Sequence, residues 1–403
     1  MRLARPIIAA TTLALVAAAG VVLEDRHGTD QARLAAATAP PSQYASLDPA
    51  SLHLAERPSA RTWAGRSYHW SAGTSGWITP LRSFTQLVPS WTATTPAGSW
   101  IQVLVQVRDT AGKVSGLEDL GRWSTRDAGF ERSSAGSQQD EVARVATDTL
   151  VATGRPLAAY RVTVRLMRTS TAPRLTALGA VTSTPATTVS ATSLPLQHNA
   201  VNLAVPRYSQ MIHRGQARAY GGGGEAWCSP TSLSMVLGYY GRLPAAATYT
   251  WVPRSYADRW VDHVARLTYD YAYDGTGNWP FNTAYAATRT GSAFVTRLAN
   301  LRMAERFVRA GIPLVISIRF ARGQLSGAPI AATAGHLVVL AGFTATGDPV
   351  INDPAAPTDA SVRHVYDRTQ LEQAWLRGSD GMAYVVRDAK HPLPKRPAGV
   401  RNW

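Results

Sequence analysis

One cysteine stands in the 403-residue chain: Cys228, within the stretch "EAWCSPTSLSMVLGYYG" (225–241). Apolar residues recur at helical spacing after Pro230, and Gly241 follows them as a stop signal, so the stretch predicts a helix whose first turn carries the thiol. Unpaired N–H groups and the helix dipole favour an anion at that end, which lowers the pKa of a thiol. Cys228 is therefore a candidate nucleophile, and a small, inert, buried cysteine is the alternative interpretation.

His336 and Asp353, which both follow Cys228 in the chain, have the chemistry that a thiolate nucleophile needs from its partners. His336 opens the apolar strand pattern "GHLVVLAGF", and its imidazole can exchange a proton with the thiol. Asp353 ends the next short pattern, "PVIND", and a turn between the patterns brings this strand back antiparallel, where the carboxylate can orient His336. Each residue also has an ordinary interpretation, as a hydrogen-bonded histidine and as a turn former before proline.

A third candidate lies upstream of the cysteine, in "VPRYSQ". The side chain of Gln210 carries an amide N–H of the kind that stabilises the oxyanion formed when a thiolate attacks a carbonyl. Such donors accelerate acyl transfer about a hundred- to a thousandfold. Taken alone, a glutamine in a loop indicates little.

Taken together, four stretches resemble one known family. "VPRYSQ", "WCSPTSLSMVLGYYG", "GHLVVLAGF" and "VINDP" occur in this order over residues 200–388 and resemble the cysteine peptidase family 39, the bacteriocin-processing type with a papain-like fold. Its best-known members are domains of transporters that cut a leader after Gly-Gly. This sequence is similar to an exported, stand-alone branch, for which the family implies no substrate.

The resemblance implies a role for each candidate residue. Cys228 would be the nucleophile and His336 the general base and acid. Asp353 would orient the histidine, and Gln210 would donate to the oxyanion. Ser229 stands where the family commonly has glycine, a change that leaves the nucleophile unaffected.

The elements that must position these residues form an α+β domain over residues 199–390. Helices are expected first and a mostly antiparallel sheet after them. Further helices are predicted over 258–267, 278–289, 301–310 and the stretch "TQLEQAWL", which opens on a capping box of Thr369 and Glu372. Strands are predicted for "PLVISIRF", "GHLVVLAGF", "PVIND" and "MAYVV".

Residues 59–188 predict a separate, sandwich-like all-β domain. Alternating apolar positions mark its strands, as in "SWIQVLVQVRD" and "YRVTVRLM", and turn clusters separate them. Six of the twelve tryptophans fall before residue 124 in this region. Core packing is the first interpretation of these rings, and a carbohydrate platform is the alternative.

The remaining segments predict export. Arg2 and Arg5 precede a long apolar run, so residues 1–25 indicate a signal peptide and an extracellular protein, with an uncleaved amino-terminal anchor facing outside as the alternative. Residues 26–58 and 189–198 predict linkers, the first of them disordered, and 391–403 a tail. Membrane contact is expected only if the signal segment is uncleaved.

Composition limits the classes of partner. Apolar residues make up 45% of the chain, enough for a folded protein. The net charge of +15 comes from scattered arginines rather than a basic run, so no nucleic-acid partner is expected, only a general attraction to anionic polymers such as a cell wall. Zinc-ligand spacing and the Lys-Ser/Thr of a phosphate loop are missing, and no metal or organic cofactor is expected.

The substrate side of the site is predicted from aromatic and amide residues near the cysteine. Trp227 precedes Cys228, while Asn278, Trp279 and Phe281 open a predicted helix; they are candidates for a substrate groove, with packing as the alternative. The sequence thus predicts a secreted thiol peptidase that hydrolyses peptide or related amide bonds. The alternatives are a cell-wall or glycan-binding protein whose papain-like domain does not catalyse, and an acyltransferase with the same residues.

Overall fold

Three antiparallel sheets and five α-helices make up the parts of the chain that the computed structural model describes, residues 42–185 and 192–403. The predicted α+β class with antiparallel sheets is confirmed. The first two sheets belong to residues 42–183, and the third sheet and all five helices belong to residues 201–387. Within the described ranges, no helix combines the length and apolar character needed to cross a membrane.

Residues 42–183 form an all-β region. Its strands are β1 (Ser42–Leu47), β2 (Ala55–Glu56), β3 (Arg61–Trp63), β4 (Arg66–Thr74), β5 (Gln86–Thr94), β6 (Ser99–Asp109), β7 (Glu118–Trp123), β8 (Gln138–Gln139), β9 (Ala143–Ala146), β10 (Thr149–Ala152), β11 (Leu157–Arg168) and β12 (Arg174–Ser183). One sheet has the order β1-β12-β5-β10-β9-β8. The other has the order β2-β4-β11-β6-β7, with β3 paired to β4.

The alternation in β6 and β11 explains how the two sheets share a core. Val103 pairs with Val164 and Val105 with Val162, and all four side chains are fully buried. Successive residues of a strand point to opposite faces, so the intervening positions face away from this core. The core also contains two of the six tryptophans, Trp91 and Trp123.

Helix residues complete that core. Phe281 and Ala284 belong to the same buried cluster as Trp91 and Trp123, although they lie in the helical part of the chain. Gly121 of β7 lets the helix approach closely, because a Cβ there would lie 2.9 Å from the Phe281 ring. The hydrophobic core of the all-β region therefore includes residues from the helical part of the chain.

Residues 201–387 form the mixed region. Its helices are α1 (Cys228–Tyr239), α2 (Trp260–Thr268), α3 (Trp279–Thr290), α4 (Leu301–Arg309) and α5 (Arg368–Ser379). Its strands are β13 (Val201–Asn202), β14 (Ser292–Arg297), β15 (Leu314–Phe320), β16 (Thr333–Phe343), β17 (Pro349–Asn352), β18 (Arg363–Val365) and β19 (Met382–Arg387). The sheet order is β14-β19-β15-β16-β17-β18, and β13 pairs with β16.

Several local predictions are wrong in the structure. Part of the linker predicted over 26–58 is a strand, from Ser42 to Leu47, and every residue of this strand pairs with β12. The strand was missed because apolar and polar residues alternate only weakly in it. The tail predicted over 391–403 ends in buried residues, and the Trp403 ring packs on Phe307 at 4.8 Å. Asp367, rather than a box opened by Thr369, caps α5.

The amino-terminal predictions lie outside the described residues. These are the signal peptide at 1–25 and the first part of the linker, up to residue 41. Part of the second predicted linker, 189–191, also lies outside them, whereas Ser193 in that segment bonds the Glu372 carboxylate through Oγ at 2.5 Å.

Candidate active site

Helix α1 places Cys228 at its first residue, as the sequence predicted. One turn further along, Ser232 donates its hydroxyl to the carbonyl oxygen of Leu337 at 2.9 Å. Leu337 follows His336 on β16, so this bond fixes the start of the helix against the strand that carries the histidine. The N–H of Cys228 has no acceptor within the helix, because the first residues of a helix lack one.

His336 lies on β16 opposite Ile318 of β15 and is 3% exposed. Its Nε2 lies 2.7 Å from Oδ1 of Asp353. A hydrogen bond also joins its ring to the sulfur of Cys228. Because Nε2 faces the carboxylate, Nδ1 is the nitrogen left to face the sulfur.

Asp353 follows β17, which runs antiparallel to β16 as predicted, and its side chain is fully buried. Oδ1 also accepts the N–H of Ala355 at 3.0 Å, and Oδ2 accepts the hydroxyl of Tyr366 at 2.8 Å. Burial opposes the charged carboxylate, but the charge of His336 and these hydrogen bonds outweigh it, so the pKa of Asp353 is lowered. Asp353 is therefore a fixed anion behind the histidine.

The charge state of the cysteine–histidine pair follows from its surroundings. Burial raises the pKa of Cys228, but the hydrogen bond and charge of His336, with N–H groups of Leu337 and Ser229, outweigh it and lower the pKa. Burial lowers the pKa of His336, while Asp353 and the sulfur outweigh it and raise the pKa. These opposite shifts favour a thiolate beside an imidazolium over the neutral pair.

Gln210 is buried and bonded on two sides. Its Nε2 donates to the carbonyl oxygen of Glu225 at 2.8 Å, and its backbone N–H donates to Pro354 at 2.8 Å. The first bond ties it to the segment that leads into Cys228, and the second to the residue after Asp353. An amide NH₂ has two hydrogens, so one N–H remains beyond the bond to Glu225.

Two family models match the chain. The model described as "Peptidase C39 N-terminal domain" matches residues 19–183, and the model described as "Peptidase_C39 like family" matches residues 202–381. The chain is a C39 cysteine peptidase family-like protein. The second match contains Gln210, Cys228, His336 and Asp353. The resemblance to cysteine peptidase family 39 stated from the sequence is thereby confirmed.

Comparisons with individual proteins add little to this C39-like assignment. No curated protein matches the chain. Of solved structures, one titled "Structure of infectious bursal disease virus Gx strain" matches at 10% identity with a TM-score of 0.21. That match covers 36% of the C39-like chain and 34% of the viral chain.

Two of the predicted substrate residues are inaccessible in the C39-like protein. Trp227 is fully buried, and its indole N–H donates to the carbonyl oxygen of Tyr220 at 2.7 Å. Asn278 is fully buried as well: Oδ1 caps α3 by accepting the N–H of Phe281 at 3.1 Å, and Nδ2 donates to Asp270 at 2.9 Å. Packing and capping thus explain both residues, and Phe281 belongs to the core described above.

Trp279, the third predicted substrate residue, is partly exposed and lines a cavity of about 520 Å³. The opposite wall comes from the all-β region, through Arg144 and Asp148. Tyr273 lines the cavity too; burial is the main cause of its raised pKa, and the charges of Asp148 and Cys228 add to it. Cys228 itself is not among the residues that line the cavity.

Asp148 and Tyr273 line this cavity, and neither residue was identified from the sequence. Asp148 lies in the turn between β9 and β10 and accepts the N–H of Trp279 at 2.7 Å. Burial, partly offset by its hydrogen bonds, raises its pKa to about 6. No sequence signal links this β-turn aspartate to Trp279, which lies 131 residues later in the chain. Among the described residues, no group of three or more His, Cys, Asp or Glu is placed to hold a metal ion.

Proposed function

We propose that this protein is a cysteine peptidase with a papain-like fold that hydrolyses peptide or related amide bonds. Cys228 is the nucleophile, His336 the general acid and base, Asp353 the orienter and Gln210 an oxyanion donor. The observation that carries the proposal is the row of a half-buried sulfur, a buried imidazole and a buried carboxylate, in which Asp353 accepts from His336 at 2.7 Å. The order of these residues in the chain, with the cysteine on a helix and the others on later strands, supports the papain-like arrangement.

In the first half of the reaction, the Cys228 thiolate attacks the carbonyl carbon of the substrate. The carbonyl π electrons move to oxygen, and the free N–H of the Gln210 amide and the N–H of Cys228 hold the oxyanion. The imidazolium of His336 then gives its Nδ1 proton to the leaving amine as the C–N bond breaks. The products are a free amine, a neutral imidazole and a thioester on Cys228.

In the second half, His336 acts as a base. Neutral Nδ1 takes a proton from water as the water oxygen attacks the thioester carbonyl, and the C–S bond breaks to release the carboxylic acid. The departing sulfur leaves as a thiolate beside the imidazolium that has just formed, which restores the starting pair. Asp353 stabilises the imidazolium in both halves. No step needs a metal or organic cofactor.

We also propose that the enzyme is exported and acts on peptide or protein substrates outside the cell. The arginines and apolar run at residues 1–25 support export, and amino-terminal sequencing of the protein recovered from culture medium tests it. A new amino terminus between residues 17 and 41 supports a cleaved signal. Retention of Met1 in a membrane fraction instead supports the anchored alternative.

The single cysteine makes the test of the peptidase function direct. A peptide carrying an epoxide electrophile should label the wild-type protein once, at Cys228, and Cys228→Ser should not react. A peptide library should be cleaved by the wild type and not by Cys228→Ala. Failure of the wild-type protein to cleave any member under reducing conditions, despite labelling, would leave a reactive thiol without peptidase activity and contradict the proposal.

A second His–Asp pair supplies a matched control. His391 Nδ1 lies 2.6 Å from Asp388 Oδ1, in a part-buried site without a sulfur. His336→Ala should lower kcat/KM about a hundred- to ten-thousandfold, as expected for loss of a general acid–base. His391→Ala should stay close to the wild type. Equal losses in both variants would indicate damage to folding rather than loss of a catalytic group.

A further inference from the structure

The outer face of the sheet β2-β4-β11-β6-β7 carries six arginines in contact with tryptophan rings. We call it the arginine face, defined by Arg57, Arg61, Arg108, Arg122, Arg161 and Arg165. It is separate from the cluster of Cys228, His336 and Asp353, which lies on other elements. Nothing in the proposed peptidase reaction uses it.

Strand alternation explains why these side chains point outward. On β11, Val162 and Val164 enter the core, so Arg161 and Arg165 face the other way. The paired positions on β6 are glutamines, and Arg161 pairs with Gln106. Arg161 Nε donates to Gln106 Oε1 at 2.8 Å and Arg165 Nη1 donates to Gln102 at 3.0 Å. These bonds fix both guanidinium groups without neutralising their charge.

The rings of three part-buried tryptophans make cation–π contacts with the six arginines. The Trp77 ring has the Arg108 and Arg161 guanidinium carbons 4.9 and 4.8 Å from its centroid. Trp70 is contacted in the same way by Arg61 at 5.2 Å and by Arg57 and Arg165 at slightly larger distances. Trp63 has Arg122 at 4.2 Å. Stacking of this kind restricts the side chains before any partner arrives, so less conformational entropy is lost on binding.

The positive charge of the face is mostly unpaired. Among the described residues, Arg122 is the member of the six that forms an ion pair, with Asp119 at 2.7 Å. Arg61 and Arg165 repel each other: partial burial is the main cause of the lowered pKa of Arg165, and the charge of Arg61 lowers it further. An anion bound between them would relieve this repulsion.

We propose that the arginine face binds an anionic polysaccharide. Guanidinium groups recognise carboxylates and phosphates through paired N–H donors. Arg161 and Arg165 lie about 13 Å apart along β11, and Arg122 lies two strands away, about 10 Å across the sheet. Charges spread over such an area suit an extended polymer that repeats its acidic groups better than a small anion.

The stacking geometry decides between a polysaccharide and a nucleic acid. Proteins that bind single strands stack bases on open aromatic faces. On this face, guanidinium groups cover the rings of Trp70 and Trp77, so these rings do not offer the open face that a base needs. Both residues are partly exposed, so they remain available for apolar contact with sugar rings.

Binding of the full-length Cys228→Ala protein to four polymers tests the proposal. They are polygalacturonate, a poly(glycerol phosphate) teichoic acid, neutral dextran and single-stranded DNA. We expect salt-sensitive binding to one or both acidic polysaccharides; polygalacturonate alone identifies a carboxylate ligand and the teichoic acid alone a phosphodiester. Equal binding to dextran, tighter binding to DNA than to either acidic polysaccharide, or no binding to any polymer overturns the proposal.

Charge-matched variants locate the site. Arg161→Gln with Arg165→Gln should weaken binding on the order of tenfold, because two ionic contacts to the polymer are lost. The control, Arg174→Gln with Arg254→Gln, removes two exposed charges elsewhere and should change affinity less than twofold. If the first variant unfolds, Arg57→Gln with Arg61→Gln replaces it, since both side chains are exposed. Equal weakening in the control would assign the binding to net charge and overturn the proposal.

Discussion

The backbone N–H of Gln210 donates to the carbonyl oxygen of Pro354 at 2.8 Å, and this bond joins the residue proposed to hold the oxyanion to the residue that follows Asp353. The Gln210 side chain is bonded in turn to Glu225, three residues before Cys228. Gln210 is thus fixed between the two chain segments that carry the nucleophile and the orienter. Oxyanion donors act because they are oriented before the charge develops, so this placement favours a catalytic role for a loop glutamine.

Replacement of Gln210 by Ala should lower kcat for peptide hydrolysis about a hundred- to a thousandfold and leave the reactivity of the thiol nearly unchanged. Hydrolysis passes through an oxyanion, whereas alkylation by iodoacetamide does not. Measuring both rates on one preparation separates the two effects. Gln216→Ala, on the same segment, is the control and should keep most of the activity. A parallel loss of alkylation in Gln210→Ala would mean that the glutamine supports the structure and not the oxyanion.

The thiolate of Cys228 should depend on His336 in a way that pH reveals. The pKa of Cys228 is lowered and that of His336 raised, so the ion pair forms once pH rises above the first and is lost above the second. We therefore expect wild-type alkylation by iodoacetamide to stay fast below the pH range in which an ordinary thiol reacts. In His336→Ala, burial acts on the thiol without the imidazolium, and the alkylation midpoint should move to higher pH. An unchanged midpoint in that variant would contradict the ion pair.

Asp353→Asn should move the alkaline limb of the kcat/KM profile to lower pH. The carboxylate raises the pKa of His336, so a neutral amide lets the imidazolium lose its proton earlier. Oδ1 of the asparagine can still accept from His336 and Ala355, and Nδ2 can donate to the Tyr366 hydroxyl, which preserves the geometry. The variant should therefore retain its fold and part of its activity near neutral pH. A profile that keeps its alkaline limb would show that the carboxylate charge does not control the histidine.

The local elements around the site were predictable because their signals are local. The helix start at Cys228, the strand that carries His336 and the antiparallel turn to Asp353 all follow from apolar spacing and turn residues within about 20 positions. The candidate roles of the four residues followed from their chemistry and from the resemblance, and the family models confirm that resemblance. Assignment of those roles remains a proposal that the experiments above test.

The hydrogen-bond and packing partners of these residues were not predictable, because they lie far away in the sequence. Tyr366, which follows β18, donates its hydroxyl to Asp353. Asp148 belongs to the all-β region, yet it accepts the N–H of Trp279 in the mixed region. Trp227 looked like a substrate residue because it precedes the cysteine, yet it is fully buried against Tyr220. Each of these facts depends on which elements pack together, and periodicity within one element does not determine that.

Asp148 should make stability depend on pH. Its folded pKa, about 6, lies above the ordinary aspartate value, so its contribution is complete below pH 4 and is lost as pH rises through 6. Asp148→Asn can still accept the Trp279 N–H and carries no charge, so its stability relative to the wild type should rise between pH 4 and 7. Asp148→Ala leaves that N–H unpaired and should cost about 1–3 kcal/mol. Urea unfolding at pH 4.5 and 7.5 measures both effects. Parallel wild-type and Asp148→Asn curves at the two pH values would contradict the prediction.

Phe281→Ala should destabilise the all-β region although the residue lies on α3. Phe281 is fully buried among the core residues Trp91 and Trp123, and loss of a buried phenylalanine costs about 3–5 kcal/mol. Because this core contains residues of both regions, we expect the variant to unfold in one transition at a lower denaturant concentration. Hydrogen exchange followed by mass spectrometry reports on peptides of both regions separately. Lost protection confined to residues 201–387, with β6 and β11 unchanged, would show that the all-β region is stable without the helix.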